Sequence, residues 1–471
     1  RNWLPVLTFT TLGMDVLDFN RPVNLASLML DAAVWEKEPF GYHLTSILLH
    51  VTNVALVWLL LHRLGLRPQA ARFPEAPAML GALVFALHPL VTEAVCEPTF
   101  REDLLVACFT LAALALAATR PPDANGRGLG RAIAVSACCL LAIGSKESGI
   151  AATMLLMVFW WLFEGGARGR FWVVTIPISI ALVAFFLVAR FRLEVIPSVI
   201  FESRPQYPGG SLAAALAIQP RILALYAQLM VLPVNQCADY GLYSIRHLPL
   251  GLAIFLLLAI SGGVAFAVSH DRRIGLAIAI IVLPLLPVMN LIPIYRAAAD
   301  RYLYLPLAGV GLAVGFGLDA HWLASRDRIR ERLLIAAAVV AAGLGIACIS
   351  RQAVWANPVA LWEDTYRKNP AAFTAASGLG EALREAGRLA EAEQATRVAL
   401  RLSEERRGDT WATLALILDE QGRKAEAEVA LAKALELDPR LNDPQSRVRA
   451  LAMEQDFASA LSRLLETQTR P

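Results

Sequence analysis

The side chains of this chain that suit chemistry lie in a few short polar stretches set between long apolar ones. One stretch reads His88-Pro-Leu-Val-Thr-Glu93 and continues to Arg101-Glu-Asp103; another is Ser145-Lys146-Glu147; a third holds Arg296 and Asp300-Arg301-Tyr302-Leu-Tyr304. His88 can take or give a proton near neutral pH. Arg101 offers a planar fork to a phosphate. Glu93 and Asp103 could hold a metal or an acceptor hydroxyl, or simply pair with Arg101. Lys146, Glu147, Arg296, Arg301 and Tyr302 suit capture of a phosphate carried on a lipid. Plainer roles exist for each: ion pairing for Lys146-Glu147, interfacial anchoring for the tyrosines. Arg21 could point into the same basin, whereas His50 lies inside a helix and reads as a satisfied core residue.

What must position these groups is a membrane bundle. The 471 residues are 57% hydrophobic, and ten apolar stretches fill residues 44–350. A span needs about 20 apolar residues at about 1.5 Å each. Segments 44–61, 171–189, 248–269 and 303–318 come close to that length. Arginines crowd alternate gaps, at Arg63 to Arg72, Arg120 to Arg131, Arg168 to Arg170, Arg272 to Arg273 and Arg326 to Arg332. Short basic loops stay cytoplasmic, so 88–103, the Lys146 turn, 190–247 and 290–302 are expected on the other face. Ionisable groups at such depth are costly and mark a pathway or a site.

Two segments are ambiguous. Stretches 131–144 and 149–163, flanked by Arg131 and Arg168, read as a hairpin, with one tilted span as the alternative. In the long loop, Ser211–Ile218 and Arg221–Leu232 are separated by Pro220 and read as helices lying at the interface. Residues 1–43 would then sit outside, so a preceding span is expected upstream of Arg1.

A net charge of +3 with segregated arginines disfavours nucleic-acid binding. The six cysteines show no CxxC spacing and suit packing, with a Cys96–Cys237 disulfide as a lesser alternative. GxSxG, HExxH and phosphate-loop motifs are absent, which argues against a hydrolase or a nucleotide-driven pump. After Ser350 the sequence turns charged and alanine-rich. Gly387-Arg-Leu-Ala-Glu-Ala recurs as Gly422-Arg-Lys-Ala-Glu-Ala, a spacing of 35, and Asp456-Phe-Ala occupies the next such position. This period predicts stacked tetratricopeptide-type helix pairs, which either bind an extended peptide or act as a structural cap.

The order of motifs closely resembles the transmembrane and tetratricopeptide-repeat protein O-mannosyltransferase family and its bacterial relatives. The residues concerned are Arg21-Pro; Phe40-Gly-Tyr-His43; Phe85-Ala-Leu-His-Pro89 with Thr92-Glu93; Arg101-x-Asp103-Leu-Leu; Ser145-Lys-Glu147; Asn290-Leu-Ile-Pro293; Arg301-Tyr-Leu-Tyr-Leu-Pro306; and Trp355 to Asn369-Pro370. Phe100 departs from the pattern, since relatives usually show a small residue before the arginine. The resemblance implies an all-α fold, a GT-C-like polytopic transmembrane helix bundle followed by a tetratricopeptide α-solenoid. It divides the chain into an outer loop 1–43, a transmembrane domain 44–350 and a repeat domain 351–471. It also implies a glycosyltransferase that moves a sugar from a polyprenyl-phosphate donor to a protein Ser or Thr hydroxyl on the extracytoplasmic face. The eukaryotic members resemble dolichyl-phosphate-mannose users. The family's acidic catalytic motif follows its first span, a stretch that would precede Arg1.

The expected roles follow. His88, Glu93 and Asp103 serve the acceptor side or the proton; Arg101, Lys146, Glu147, Arg296, Arg301 and Tyr302 hold the donor phosphate. No tightly bound cofactor is expected, and a divalent metal is left open. The expected partners are membrane lipid, the lipid-linked sugar and an acceptor polypeptide in the repeat groove, within a bacterial inner membrane or an endoplasmic-reticulum membrane. The competing reading is a non-catalytic, membrane-anchored repeat scaffold. A transporter lacks the matching pair of broken helices.

Overall fold

A computed structural model describes residues 21–65, 73–119, 127–164, 172, 175–184, 207–241, 245, 249–291, 294, 296–324, 327–442 and 460–465. Asp15, Asp18, Arg67, Arg72, Arg120, Arg168, Arg170, Arg326 and the third-repeat residues Asp456 and Phe457 lie outside the described residues. Every regular element among the described residues is helical. Helix α1 (Pro22–Trp35) and α2 (Pro39–Leu64) each open on a proline, whose fixed φ suits a first turn that needs no amide donor. Next come α3 (Ala76–Leu87) and α4 (Thr92–Cys96), bent by 49° across a break that begins at His88. Then follow α5 (Arg101–Ala117), α6 (Arg127–Ser145), α7 (Ile150–Glu164), α8 (Thr175–Ala184), α9 (Leu212–Val231), α10 (Leu250–His270), α11 (Arg272–Val282), α12 (Tyr304–Ala324) and α13 (Asp327–Trp355).

By length and composition, six described helices could cross a bilayer, or seven if the bent pair is one span. This is fewer than the ten apolar stretches: among the described residues α5 carries charges in its first turn, and the apolar helical stretches Leu129–Ser145, Thr175–Ala184 and Arg272–Val282 are each shorter than a span needs. Apolar side chains such as Phe255 and Leu258 on α10, and Val339 and Ile346 on α13, remain exposed. Such faces are stable against lipid but not against water. The chain is a multi-pass membrane protein by this measure.

A close backbone contact joins α3 to α12. A Cβ on Gly81 would lie 2.5 Å from the Gly311 carbonyl oxygen, and one on Gly311 would lie 2.6 Å from that of Gly81. Small residues at such a crossing let two backbones approach where lipid gives little hydrophobic drive. Beside it His50 accepts or donates to Tyr304 Oη at 2.7 Å, and Asn53 donates to the same oxygen at 3.1 Å. His50 is thus the satisfied core residue expected.

One expectation changes. Residues 212–231 form one helix with Pro220 inside it, not two pieces. An internal proline costs about 3 kcal/mol, but the continuous helix buries a stripe of Ile218, Ile222, Tyr226 and Leu229. Tyr207, ahead of α9, donates through Oη to Leu291 O at 3.3 Å, and the Ala299 amide donates to Tyr226 Oη within α9 at 3.3 Å. The expected domain edges at 43/44 and 350/351 both fall inside continuous helices, α2 and α13. Segments 131–144 and 149–163 are separate helices, α6 and α7, joined by the Lys146 turn.

Beyond α13 come α14 (Pro358–Lys368), α15 (Phe373–Glu385), α16 (Leu389–Leu402), α17 (Gly408–Glu420) and α18 (Lys424–Leu437). Asn357 caps α14 by accepting the Val359 amide at 2.9 Å. The two Gly-Arg motifs end helices identically. Gly387 and Gly422 have φ of +73° and +79°, and the amides of Arg388 and Arg423 reach Leu383 O and Leu418 O at 2.9 Å. That is the left-handed closure glycine permits without a Cβ penalty. Gly378 leaves room for Trp362, since a Cβ there would meet the indole at 2.5 Å. Arg384 to Glu420 (2.9 Å) and Arg423 to Glu393 (2.7 Å) stitch neighbouring units.

Two outcomes are expected. Gly311→Leu should destabilise the bundle by more than about 1–3 kcal/mol, the usual overpacking range, because a backbone carbonyl cannot move aside; thermal melting in detergent reads this. Asp364 is held by Lys368 (2.6 Å), Arg367 (2.8 Å) and Arg351 (3.0 Å). Burial opposes its ionisation, but these bonds still hold its pKa below the usual aspartate value. A carboxylate depressed on folding stabilises above its unfolded pKa, and that stability is lost as pH falls through the folded pKa. The repeat domain should therefore melt at lower temperature below about pH 4, and Asp364→Asn should flatten that acid limb.

Candidate functional site

Three local structures converge at one end of the bundle. The Pro98–Phe100 turn delivers Arg101, Glu102 and Asp103 on the first turn of α5, where a helix N-terminus favours acidic groups. The α6–α7 turn delivers Lys146 and Glu147. A short helical turn, Asp300–Leu303, delivers Arg301 and Tyr302 ahead of α12.

Lys146 Nζ donates to both oxygens of Asp103, at 2.8 and 2.7 Å, and lies 3.0 Å from Glu102 Oε1. Glu102 also pairs with Arg21, which reaches Glu147 at 3.3 Å. Arg21 therefore does enter the basin. Arg301 binds Glu93 twice, with Nη1 at 2.5 Å from Oε1 and its backbone amide donating to Oε2 at 2.8 Å. Its guanidinium stacks 4.0 Å above the Phe100 ring and 5.1 Å from that of Tyr302. The unusual Phe100 thus has a role here as a cation–π platform. Lys146 lies 5.4 Å from the Tyr302 ring centre on a neighbouring side. A small cleft opens among Asp103, Val106, Ser148, Arg301, Tyr302 and Leu305.

The expected donor-phosphate residues divide into two groups. Arg101 is fully buried, with one arm on Asp31 (2.5 Å) and Ser27 (3.1 Å) and the other on the Tyr42 carbonyl (2.8 Å). Both terminal nitrogens are engaged in joining α1, α2 and α5. Lys146 spends its ammonium on Asp103 and Glu102. Arg301, by contrast, uses Nη1 and keeps its other guanidinium donors free of hydrogen bonds among the described residues, while lining the cleft. Arg296 pairs with Asp239 at 2.6 Å and stays partly exposed. Glu147 is also partly exposed.

On the acceptor side only Asp103 reaches the cleft. His88 is buried at the α3–α4 break and accepts the Leu90 amide through Nδ1 at 3.3 Å. Its ring makes no ion pair with the cluster among the described residues. Among those residues, no group of three His, Cys, Asp or Glu side chains is placed to hold a metal ion. Cys96 and Cys237 are both free. Cys237 is buried, and burial with nearby Asp300 pushes its thiol up to about 12.

Sequence reasoning missed Asp300, Gln236 and Tyr240. Asp300 is buried and accepts from Gln236 Nε2 at 3.3 Å and from Tyr240 Oη. Burial and the Asp300 carboxylate push the Tyr240 phenol well above its usual range, so it remains a donor. Its position beside Arg301 was the one available signal.

Fold and site together define an all-α membrane protein with a buried charged cluster at one end of its bundle and a repeat array attached. The tetratricopeptide repeat family matches residues 408–441. The chain is 25% identical over 340 residues to the human protein O-mannosyl-transferase TMTC3, covering 63% of this chain and 35% of that protein. It is 27% identical over 304 residues to the Caenorhabditis elegans protein O-mannosyl-transferase F38B6.6, covering 61% and 41%. Against human protein O-mannosyl-transferase TMTC4 it is 26% identical over 406 residues, covering 74% and 53%. The chain is thus a homologue of the transmembrane and tetratricopeptide-repeat protein O-mannosyl-transferases. It spans about a third to a half of the length of these relatives. No solved structure matches it.

Lys146→Ala should cost about 3–5 kcal/mol, because it strands Asp103 and Glu102 as buried carboxylates. Lys146→Ala/Asp103→Ala should recover part of that loss in the same detergent melt.

Proposed function

We propose that this protein transfers a sugar, mannose by analogy with its relatives' names, from a polyprenyl-phosphate donor to a protein Ser or Thr hydroxyl on the extracytoplasmic face. The observation carrying this reading is the state of Arg301. It is anchored on Glu93, backed by Phe100, and lines the cleft with guanidinium donors that bind no other group among the described residues. Such a group is pre-organised for charge that grows on a leaving phosphate. In the reaction the hydroxyl oxygen attacks the anomeric carbon, the carbon–oxygen bond to the phosphate breaks, and the lipid phosphate leaves with the bonding electrons. The hydroxyl proton passes to a carboxylate; of the expected acceptor-side residues, Asp103 lines the cleft. A lipid-linked donor needs no nucleotide site, in keeping with the lack of phosphate-cradling glycine loops. The repeats would present the acceptor polypeptide.

The scaffold reading is favoured by one observation: the Lys146 ammonium and both terminal nitrogens of Arg101 already bind protein partners. One experiment separates the two. The full-length protein in liposomes is given a polyprenyl-phosphate-linked radiolabelled mannose and a Ser/Thr peptide. Arg301→Ala should slow transfer by about 10²–10³-fold, the usual effect of removing one transition-state donor, with melting and gel filtration checking the fold. Arg301→Lys should restore only part of the rate, since an ammonium lacks the fork. Failure of the unmodified protein to transfer label, with intact partner binding by the repeats, would favour the scaffold.

A further inference from the structure

The first repeat hairpin is fastened to the bundle in an unusual way, by reading backbone rather than side chains. At the end of α14, Asn369 is fully buried and its Nδ2 donates to the carbonyls of Asp239 and Tyr240, at 3.2 and 3.0 Å. Lys368 Nζ donates to the Gln236 carbonyl at 2.6 Å, and Thr365 Oγ1 accepts the Ala238 amide at 3.3 Å. Gly241 closes the segment at φ +53°, where a Cβ would lie 2.5 Å from Asn369 Nδ2. The side chains of this same segment are committed elsewhere. Gln236 and Tyr240 both donate to Asp300, and Asp239 pairs with Arg296. Asp300 immediately precedes Arg301, whose amide and guanidinium hold Glu93. Residues 236–241 are therefore a spacer, gripped by the repeat through its backbone and gripping the Arg301 turn through its side chains.

We propose that the first repeat hairpin is a positioning element of the transfer site, with Asn369, Tyr240 and Asp300 acting in series to set where Arg301 stands. The placement of Arg301 then depends on a domain that contributes no side chain to the cleft. A polypeptide that strains the hairpin would act on the donor end through this path. The proposal rests on the transfer reading for its consequence, but not for its geometry.

The test uses the full-length protein in liposomes and two readouts. Hydrogen exchange of the peptide spanning Ala299 to Leu303 reports the Arg301 amide bond to Glu93 directly. Transfer kinetics with polyprenyl-phosphate mannose report the consequence. Tyr240→Phe keeps the ring and removes only the donation to Asp300. It should speed exchange in that peptide at least tenfold and lower kcat with little change in the acceptor's KM. Asn369→Ala should do the same from the repeat side, and Asp300→Asn, which keeps an acceptor for Tyr240, should be milder than Asp300→Ala. Lys433→Ala, on an exposed surface of α18, should change neither readout. Unchanged exchange in both Tyr240→Phe and Asn369→Ala would overturn the coupling. If the unmodified protein transfers no sugar while exchange still responds, the transfer reading fails and the coupling stands.

Discussion

The double grip of Glu93 on Arg301 is the interaction around which this end of the molecule is arranged. One carboxylate takes both the backbone amide and the guanidinium, so the turn before α12 and the helix after the α3 break are fixed to each other. Around it Arg21, Arg101, Lys146 and Arg301 alternate with Asp31, Glu93, Glu102, Asp103 and Glu147. Charges this deep are tolerable only when paired and further hydrogen-bonded. Each pairing also joins elements far apart in sequence, as Arg101 does for α1, α2 and α5. The network therefore acts as the bundle's register at the end where hydrophobic packing against lipid would leave it undefined.

Much of this was legible in the sequence. Polar motifs between apolar stretches located the cluster, because ionisable residues persist at such depth only for a reason. The repeat was legible because glycine in a left-handed closure recurs at a fixed spacing, as Gly387 and Gly422 do. Partner choice was not legible. Arg101 presents the same fork as Arg301, and nothing local to either shows that Asp31 and the Tyr42 carbonyl occupy the first. Pro220 looked like a break because its local cost is plain, whereas the buried stripe that outweighs it depends on tertiary packing. Asp300 was passed over as a neighbour of a better candidate, although its partners Gln236 and Tyr240 come from a loop some 60 residues away.

The cluster's composition also constrains how it could work. Carboxylates outnumber cations among the paired groups, so the site does not present the surplus of positive charge expected of a simple phosphate trap. On the proposed transfer reading, an entering phosphate would be held by directed donors rather than by net charge. Arg301 meets that requirement because Glu93 fixes its orientation without exhausting its fork, and a planar guanidinium can serve a carboxylate and a phosphate on different edges. Lys146 cannot, since its ammonium is already shared between Asp103 and Glu102. On the same reading, strong pairing before reaction would let charge growing on a leaving group meet dipoles already in place, with little reorganisation left to do. The same logic explains why Phe100 suits its position. An aromatic face under the guanidinium holds its plane without consuming a donor, which a hydrogen-bonding side chain in that place would do.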